Sequence, residues 1–100
     1  MLKHIVFWKL KDSITGQART DVLARIKDAF EALPGKIPGL QKLEIGFDVG
    51  RGPESVDLIL YSEFESRAAL AGYATHPLHE ALVPMVRDIR VERRVADYEV

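Results

Sequence analysis

The chain has 100 residues, 14 lysines and arginines against 15 aspartates and glutamates, and no cysteine. That length suits a single domain spanning residues 1–100, and a net charge of −1 with interleaved signs gives nucleic acid no basic footprint. The missing thiols exclude disulfide frameworks, cysteine nucleophiles, zinc–thiolate sites and iron–sulfur ligation, and fit a cytoplasmic location.

A hydrophobic fraction of 47% is ordinary for a globular protein. No apolar run approaches the roughly 20 residues that cross a bilayer. The opening Met1-Leu2-Lys3-His4-Ile5 carries charge at once and does not read as a signal peptide. Leu2 to Leu10 reads as a strand, with Leu2, His4, Val6 and Trp8 on one face and Lys3, Ile5, Phe7 and Lys9 on the other. Asp12 to Gly16 reads as a turn, and Thr15 is placed to cap the next helix. From Gln17 to Leu33 the apolar positions Leu23, Ile26, Phe30 and Leu33 recur at helical spacing. Pro34-Gly35 and Pro38-Gly39 stop that helix and make residues 34–39 a loop.

Leu40 to Val49 alternates as a half-buried strand, with Leu43, Ile45 and Phe47 on its apolar side. The glycine-rich loop after it leads into another strand, not a helix, which argues against a phosphate cradle. Val56 to Phe64 is the third strand: Val56, Leu58, Leu60 and Phe64 face one way, Ile59 and Tyr61 the other. Ser66 caps a short helix through Tyr73 or Ala74. Pro77 suits the first position of a new helical segment with His76 as its cap. That segment should carry Leu78, Leu82, Met85 and Val86 on one side, and Pro84 should kink or shorten it. The last strand runs from about Ile89 to Val100. Its Arg90–Arg94 cluster is broken by Glu92 and splits between two faces, as a solvated edge strand would.

Strand, helix, strand, strand, broken helix, strand is the ferredoxin-like α+β order, βαββαβ. It predicts a four-stranded antiparallel sheet with helices on one face. Ile5, Phe7, Ile59 and Tyr61 would then stand on the uncovered face. Burying one such side chain is worth about 1.5–3 kcal/mol, so a contiguous set predicts a homodimer sealed sheet to sheet.

Chemistry concentrates in Tyr73-x-x-His76-Pro77-x-His79. An imidazole exchanges protons near neutrality, so His79 is a candidate general base. Tyr73 could orient it or donate to a carbonyl whose charge grows during reaction. The break at Pro77 must fold one segment toward the other for the two to meet; His79 could equally be a hydrogen-bonded brace for that break. His76 reads as a cap with a structural role. A pocket between helices and sheet would draw on His4, Val6, Trp8, Leu58 and His76. His4 and Trp8 are also ordinary core residues for such a strand. Three converging zinc ligands are not evident, and the 34–39 loop offers no carboxylate for a hard cation.

Lys3-His4-Ile5-Val6, Leu33-Pro34-Gly35 with Ile37-Pro38-Gly39, Asp57-Leu58-Ile59-Leu60 with Phe64, Tyr73 with His76-Pro77-Leu78-His79, and Asp97-Tyr98 together resemble the stress-responsive A/B barrel (Dabb) domain family. The resemblance covers the whole chain. It implies a dimeric α/β barrel, and includes plant stress proteins that form stable rings. It also includes olivetolic acid cyclase, which closes a polyketide chain without metal or organic cofactor. Its Tyr–His pair matches Tyr73 and His79, and a pocket histidine matches His4. A second pocket histidine of that enzyme falls at Leu58, which departs from its pattern. The chain thus has three readings: a binding protein for a small apolar or aromatic molecule, a cofactor-free enzyme using Tyr73 and His79, or a structural stress protein. None calls for a metal, a nucleic acid or a membrane.

Overall fold

Strand β1 (Leu2–Leu10) alternates buried and half-buried side chains along almost its whole length. That pattern reflects its place in the sheet, whose order is β2-β3-β1-β4. β1 is hydrogen-bonded on both edges, antiparallel to β3 (Leu58–Phe64) and to β4 (Arg90–Glu99). β2 (Leu40–Phe47) closes the far side against β3. The computed structural model describes all 100 residues, and its ferredoxin-like α+β architecture is the expected one.

α1 (Gly16–Glu31) packs Leu23, Ile26 and Phe30 against the sheet. It docks over β2 through a polar clasp as well. Glu31 Oε2 accepts from the Ile45 amide at 2.9 Å, Lys27 Nζ donates to the Ile45 carbonyl at 2.9 Å, and the two side chains pair at 2.7 Å. The Lys27 ammonium and then the Ile45 amide hold the Glu31 carboxyl below its usual range. The clasp satisfies backbone groups that an edge strand otherwise leaves free.

The second helical region is three short pieces: α2 (Arg67–Ala74), α3 (Pro77–Glu80) and α4 (Val83–Arg87). Ser66 caps α2 by accepting from the Ala69 amide at 3.1 Å, and His76 caps α3 by accepting from Leu78 at 3.1 Å. The break is sharper than the sequence pattern implies. Pro84 begins a separate turn rather than kinking one helix. As a result Leu78 is exposed, while Leu82, Met85 and Val86 pack on the core.

Other boundaries shift for local reasons. Thr15 occupies the cap position of α1, but its side chain makes no capping bond. The helix ends at Glu31, and Leu33 is buried from the turn beyond it. β2 stops at Phe47, and its register slips between Leu40 and Lys42. Phe47 is 42% exposed, with the Lys27 ammonium 6.0 Å from its ring centroid. β3 starts at Leu58 because Asp57 is a tie-point instead. Its carboxylate accepts from the Leu10 amide at 2.7 Å and from Arg19 at 3.2 Å, and its own amide donates to the Trp8 carbonyl.

The face away from the helices carries Ile5, Phe7, Ile59 and Tyr61, all only half-buried. Ile5 lies opposite Tyr61 and Phe7 opposite Ile59, so the four form one patch. Lys3 and Lys42 stand over the Tyr61 ring at 5.7 and 5.6 Å. No helix is long and apolar enough to cross a membrane.

Two loop glycines separate conformation from crowding. Both Gly35 and Gly39 have positive φ, 87° and 79°. A Cβ at Gly35 would meet nothing, whereas one at Gly39 would lie 2.4 Å from the Ala69 Cβ on α2. Gly35→Ala should therefore cost only the left-handed penalty of about 1–2 kcal/mol. Gly39→Ala should cost about 1–3 kcal/mol more for overpacking. Urea unfolding of the two variants checks the ordering.

Candidate functional site

Between the helical layer and β1 lies a partly open cavity of about 240 Å³. Its floor is His4, Val6 and Trp8 from β1 and Leu60 from β3. Phe30 of α1, Tyr73 of α2 and His79 of α3 form its walls, with Val83, Val86 and Arg87 of α4. Arg90 and Arg93 of β4 complete the lining. The cavity exists because α1 sits over β2, while the three short helices leave the helix-side face of β4 uncovered.

Of the residues singled out from sequence, His4, Val6, Trp8, Tyr73 and His79 come together here. Leu58 does not: it is fully buried in the core, and Leu60, one pleat along, reaches the cavity instead. His76 is also outside the lining and is engaged in capping α3.

The Pro77 break brings Tyr73 and His79 into contact, their ring centroids 4.1 Å apart at a 34° tilt. Tyr73 also meets Phe64 edge-on at 5.1 Å and His4 at 6.4 Å. Burial pushes the Tyr73 phenol far above its ordinary range, and Arg93 opposes this only in part. The phenol is thus a neutral donor at physiological pH.

His79 and His76 have their tautomers set by their backbone partners. His79 Nδ1 lies 3.2 Å from the Ala74 carbonyl, which can only accept, so Nδ1 carries the proton and Nε2 keeps a lone pair. Burial lowers the His79 pKa; the Ala74 bond opposes this, and His4 and Arg93 add to the lowering. His4 Nδ1 lies 2.5 Å from Asp97 Oδ1 and donates to the carboxylate, which anchors the ring at the cavity floor. His76 is the reverse: its Nδ1 accepts from Leu78, leaving the proton on Nε2. His79 therefore presents an acceptor to the cavity, His4 is engaged by Asp97, and His76 is occupied in its cap.

Asp97 and the arginines were not assigned to the site by sequence reasoning. Asp97 faces His4 across the β1–β4 pairing, and Arg93 faces Trp8. Alternation along β4 places Arg93 and Arg94 on opposite faces, as expected. Which of the two reaches the cavity depends on the register with β1, which no local pattern encodes.

A four-stranded antiparallel βαββαβ sheet with its helices on one face defines the ferredoxin-like class of α+β proteins. The chain matches the Stress responsive A/B Barrel Domain over residues 2–100, and it belongs to that family. It is 34% identical over 99 residues to an uncharacterized protein of Streptomyces coelicolor, covering 99% of both chains. A crystal structure of a dimeric Bacteroides fragilis protein of unknown function with a ferredoxin-like fold superposes with a TM-score of 0.87 at 36% identity, covering 99% of this chain and 95% of that one. A Dabb family protein with a ferredoxin-like fold from Mesorhizobium loti superposes with a TM-score of 0.76 at 22% identity, covering 99% and 95%.

The lowered His79 pKa has a sign for stability. Below about pH 6.5 the unfolded imidazole binds a proton more readily than the folded one. Stability associated with His79 is thus fully present above that pH and is lost as pH falls through the lower folded value. His79 should titrate by NMR below the ordinary histidine range. His79→Gln should flatten the loss of urea stability between pH 6.5 and 5.

Proposed function

We propose that the protein binds a small apolar or aromatic molecule in the cavity between helices and sheet, and does so as a homodimer joined through the open sheet face. The observation that carries the binding reading is the convergence of His4, Trp8, Tyr73 and His79 on one cavity. Trp8, Val6 and Val86 supply apolar contact, and the His79 Nε2 atom with the Tyr73 hydroxyl supplies a few directional polar groups, the mixture typical of ligand sites. A cavity of this size counts against a purely structural role. A cytoplasmic location belongs to the same reading.

The dimer reading rests on the Ile5, Phe7, Ile59 and Tyr61 patch and on the similar Bacteroides fragilis protein being described as dimeric. Ile59→Lys places a charge in the middle of that patch. Analytical ultracentrifugation should give a dimer for the natural chain and a monomer, or poorly folded material, for the variant. A natural chain that sediments as a monomer would end the dimer reading, and a mass above two subunits would revive the ring.

A second reading has its own observation. The neutral Tyr73 phenol lies against His79, whose Nε2 lone pair is available near neutral pH. That pair supports cofactor-free proton transfer next to a carbonyl, in the manner of a polyketide cyclase, with His79 as base and Tyr73 as donor to the developing oxyanion. A fragment screen followed by thermal shift tests binding. A true ligand at a hundred times its Kd should add about 2.7 kcal/mol of stability. With a turned-over substrate in hand, His79→Gln should lower kcat by about 10²–10⁴-fold while leaving binding and the dimer in place. Unchanged turnover would leave a binding protein alone.

A further inference from the structure

Three guanidinium groups line one cavity in a chain that is otherwise close to charge balance. Arg87 lies at the end of α4, and Arg90 and Arg93 lie on the start of β4. The register places Arg90 opposite Leu10 and Arg93 opposite Trp8, so both stand on the helix side of the sheet. Arg87 is 3.5 Å from the neighbouring Asp88 carboxylate. Arg90 and Arg93 have no carboxylate partner in the fold. The other ion pairs use Arg19, Lys27, Arg67 and Arg94 with His4, and they engage Asp57, Glu31, Glu99, Glu92 and Asp97. Asp97, beside the cavity floor, is engaged by His4. The cavity therefore has cationic donors on its β4 side, an apolar floor, and no free anion of its own.

From this placement we infer that the natural ligand is an anion: an apolar or aromatic body carrying a carboxylate or phosphate, seated with its charged group against Arg90 and Arg93. The inference rests on the cavity being a binding site and specifies what that site selects. Paired arginines present planar forks of N–H donors that match such oxyanions two bonds at a time. Trp8 lies directly across the β1–β4 pairing from Arg93, so a ring lying on the floor would carry its substituent toward the guanidinium. Tyr73 and His79 line the same cavity, so a molecule held by its charged group also meets the phenol and the imidazole. Arg93 is close enough to influence both of those side chains, so an anion held there would also relieve its field on them. Arg90 and Arg93 thus act as a selectivity element and an orienting clamp.

Matched probes separate this inference from the reading beneath it. 1-Naphthoate and 1-naphthyl phosphate carry the same ring as neutral 1-naphthamide. Binding is followed through the Trp8 indole N–H resonance and by calorimetry at low and high salt. The natural protein should bind one or both anions at least tenfold more tightly than the amide, and added salt should narrow that margin. The better of the two anions identifies the group. Arg90→Gln combined with Arg93→Gln should erase the margin, a ratio measured within one protein that partial loss of fold does not imitate. Arg90→Lys with Arg93→Lys should keep the preference for anions but shrink it. Equal binding of amide and anions to the natural protein overturns the anion assignment and leaves the pocket standing. If a wider set of matched aromatic acids and amides all fail to perturb Trp8, the pocket reading falls and this one falls with it.

Discussion

Strand β1 has neighbours on both edges, and everything else in the fold answers to that. A doubly paired strand can send its side chains only above or below the sheet. On one side this sends Leu2, His4, Val6 and Trp8 under the helices, and on the other it sends Ile5 and Phe7 into the open. β3 repeats the division with Leu58, Leu60 and Phe64 against Ile59 and Tyr61. A one-residue slip of β1 would exchange the two sets, burying Lys3 and exposing Trp8. The register is therefore held by burial on the helix side, and Asp57 pins its far end through the Leu10 amide.

The cavity is a by-product of how unevenly the helices cover that sheet. α1 is long and clasps β2 through Lys27 and Glu31. The second helical region is divided at Pro77 and again at Pro84, and its short pieces cannot form a continuous roof. The same division carries His79 back beside Tyr73. A single straight helix would place residues six apart on different faces; the break between α2 and the proline-started α3 brings their rings together. One local disruption thus creates both the empty volume and the pair of groups beside it.

Much of this was legible from residue patterns. The period-two alternation in 2–10 and 58–64 and the helical spacing of Leu23, Ile26 and Phe30 are local signals, and they set the element order. The patch formed by Ile5, Phe7, Ile59 and Tyr61 could be read because both central strands are apolar on two sides. The density of proton-transfer groups in 73–79 marked Tyr73 and His79, the family resemblance matched them to a catalytic pair, and Pro77 explained how they could meet. The features out of reach depended on register. Leu60 rather than Leu58 lines the cavity, and Arg93 rather than Arg94 reaches it, because of pairings between strands more than fifty residues apart. His4 and Asp97 lie ninety-three residues apart and meet only through the β1–β4 ladder. The loss of Leu78 from the core has a different origin: a helical wheel drawn through residues 77–87 assumes one helix where there are two.

The two sheet edges are treated differently. On β2 the outer backbone groups of Ile45 are taken up by Lys27 and Glu31. β4 has no such cover, and its ten residues are exposed almost throughout. It carries charge instead: Arg90, Glu92, Arg93, Arg94, Asp97 and Glu99 along a single strand. Bare strand edges recruit other strands, and a dense run of ionic side chains is a common deterrent to that form of aggregation. The arginines of β4 accordingly guard the solubility of the folded chain as well as shaping its cavity, so attempts to make the site more hydrophobic by replacing them would leave an unprotected edge prone to fibril-like growth.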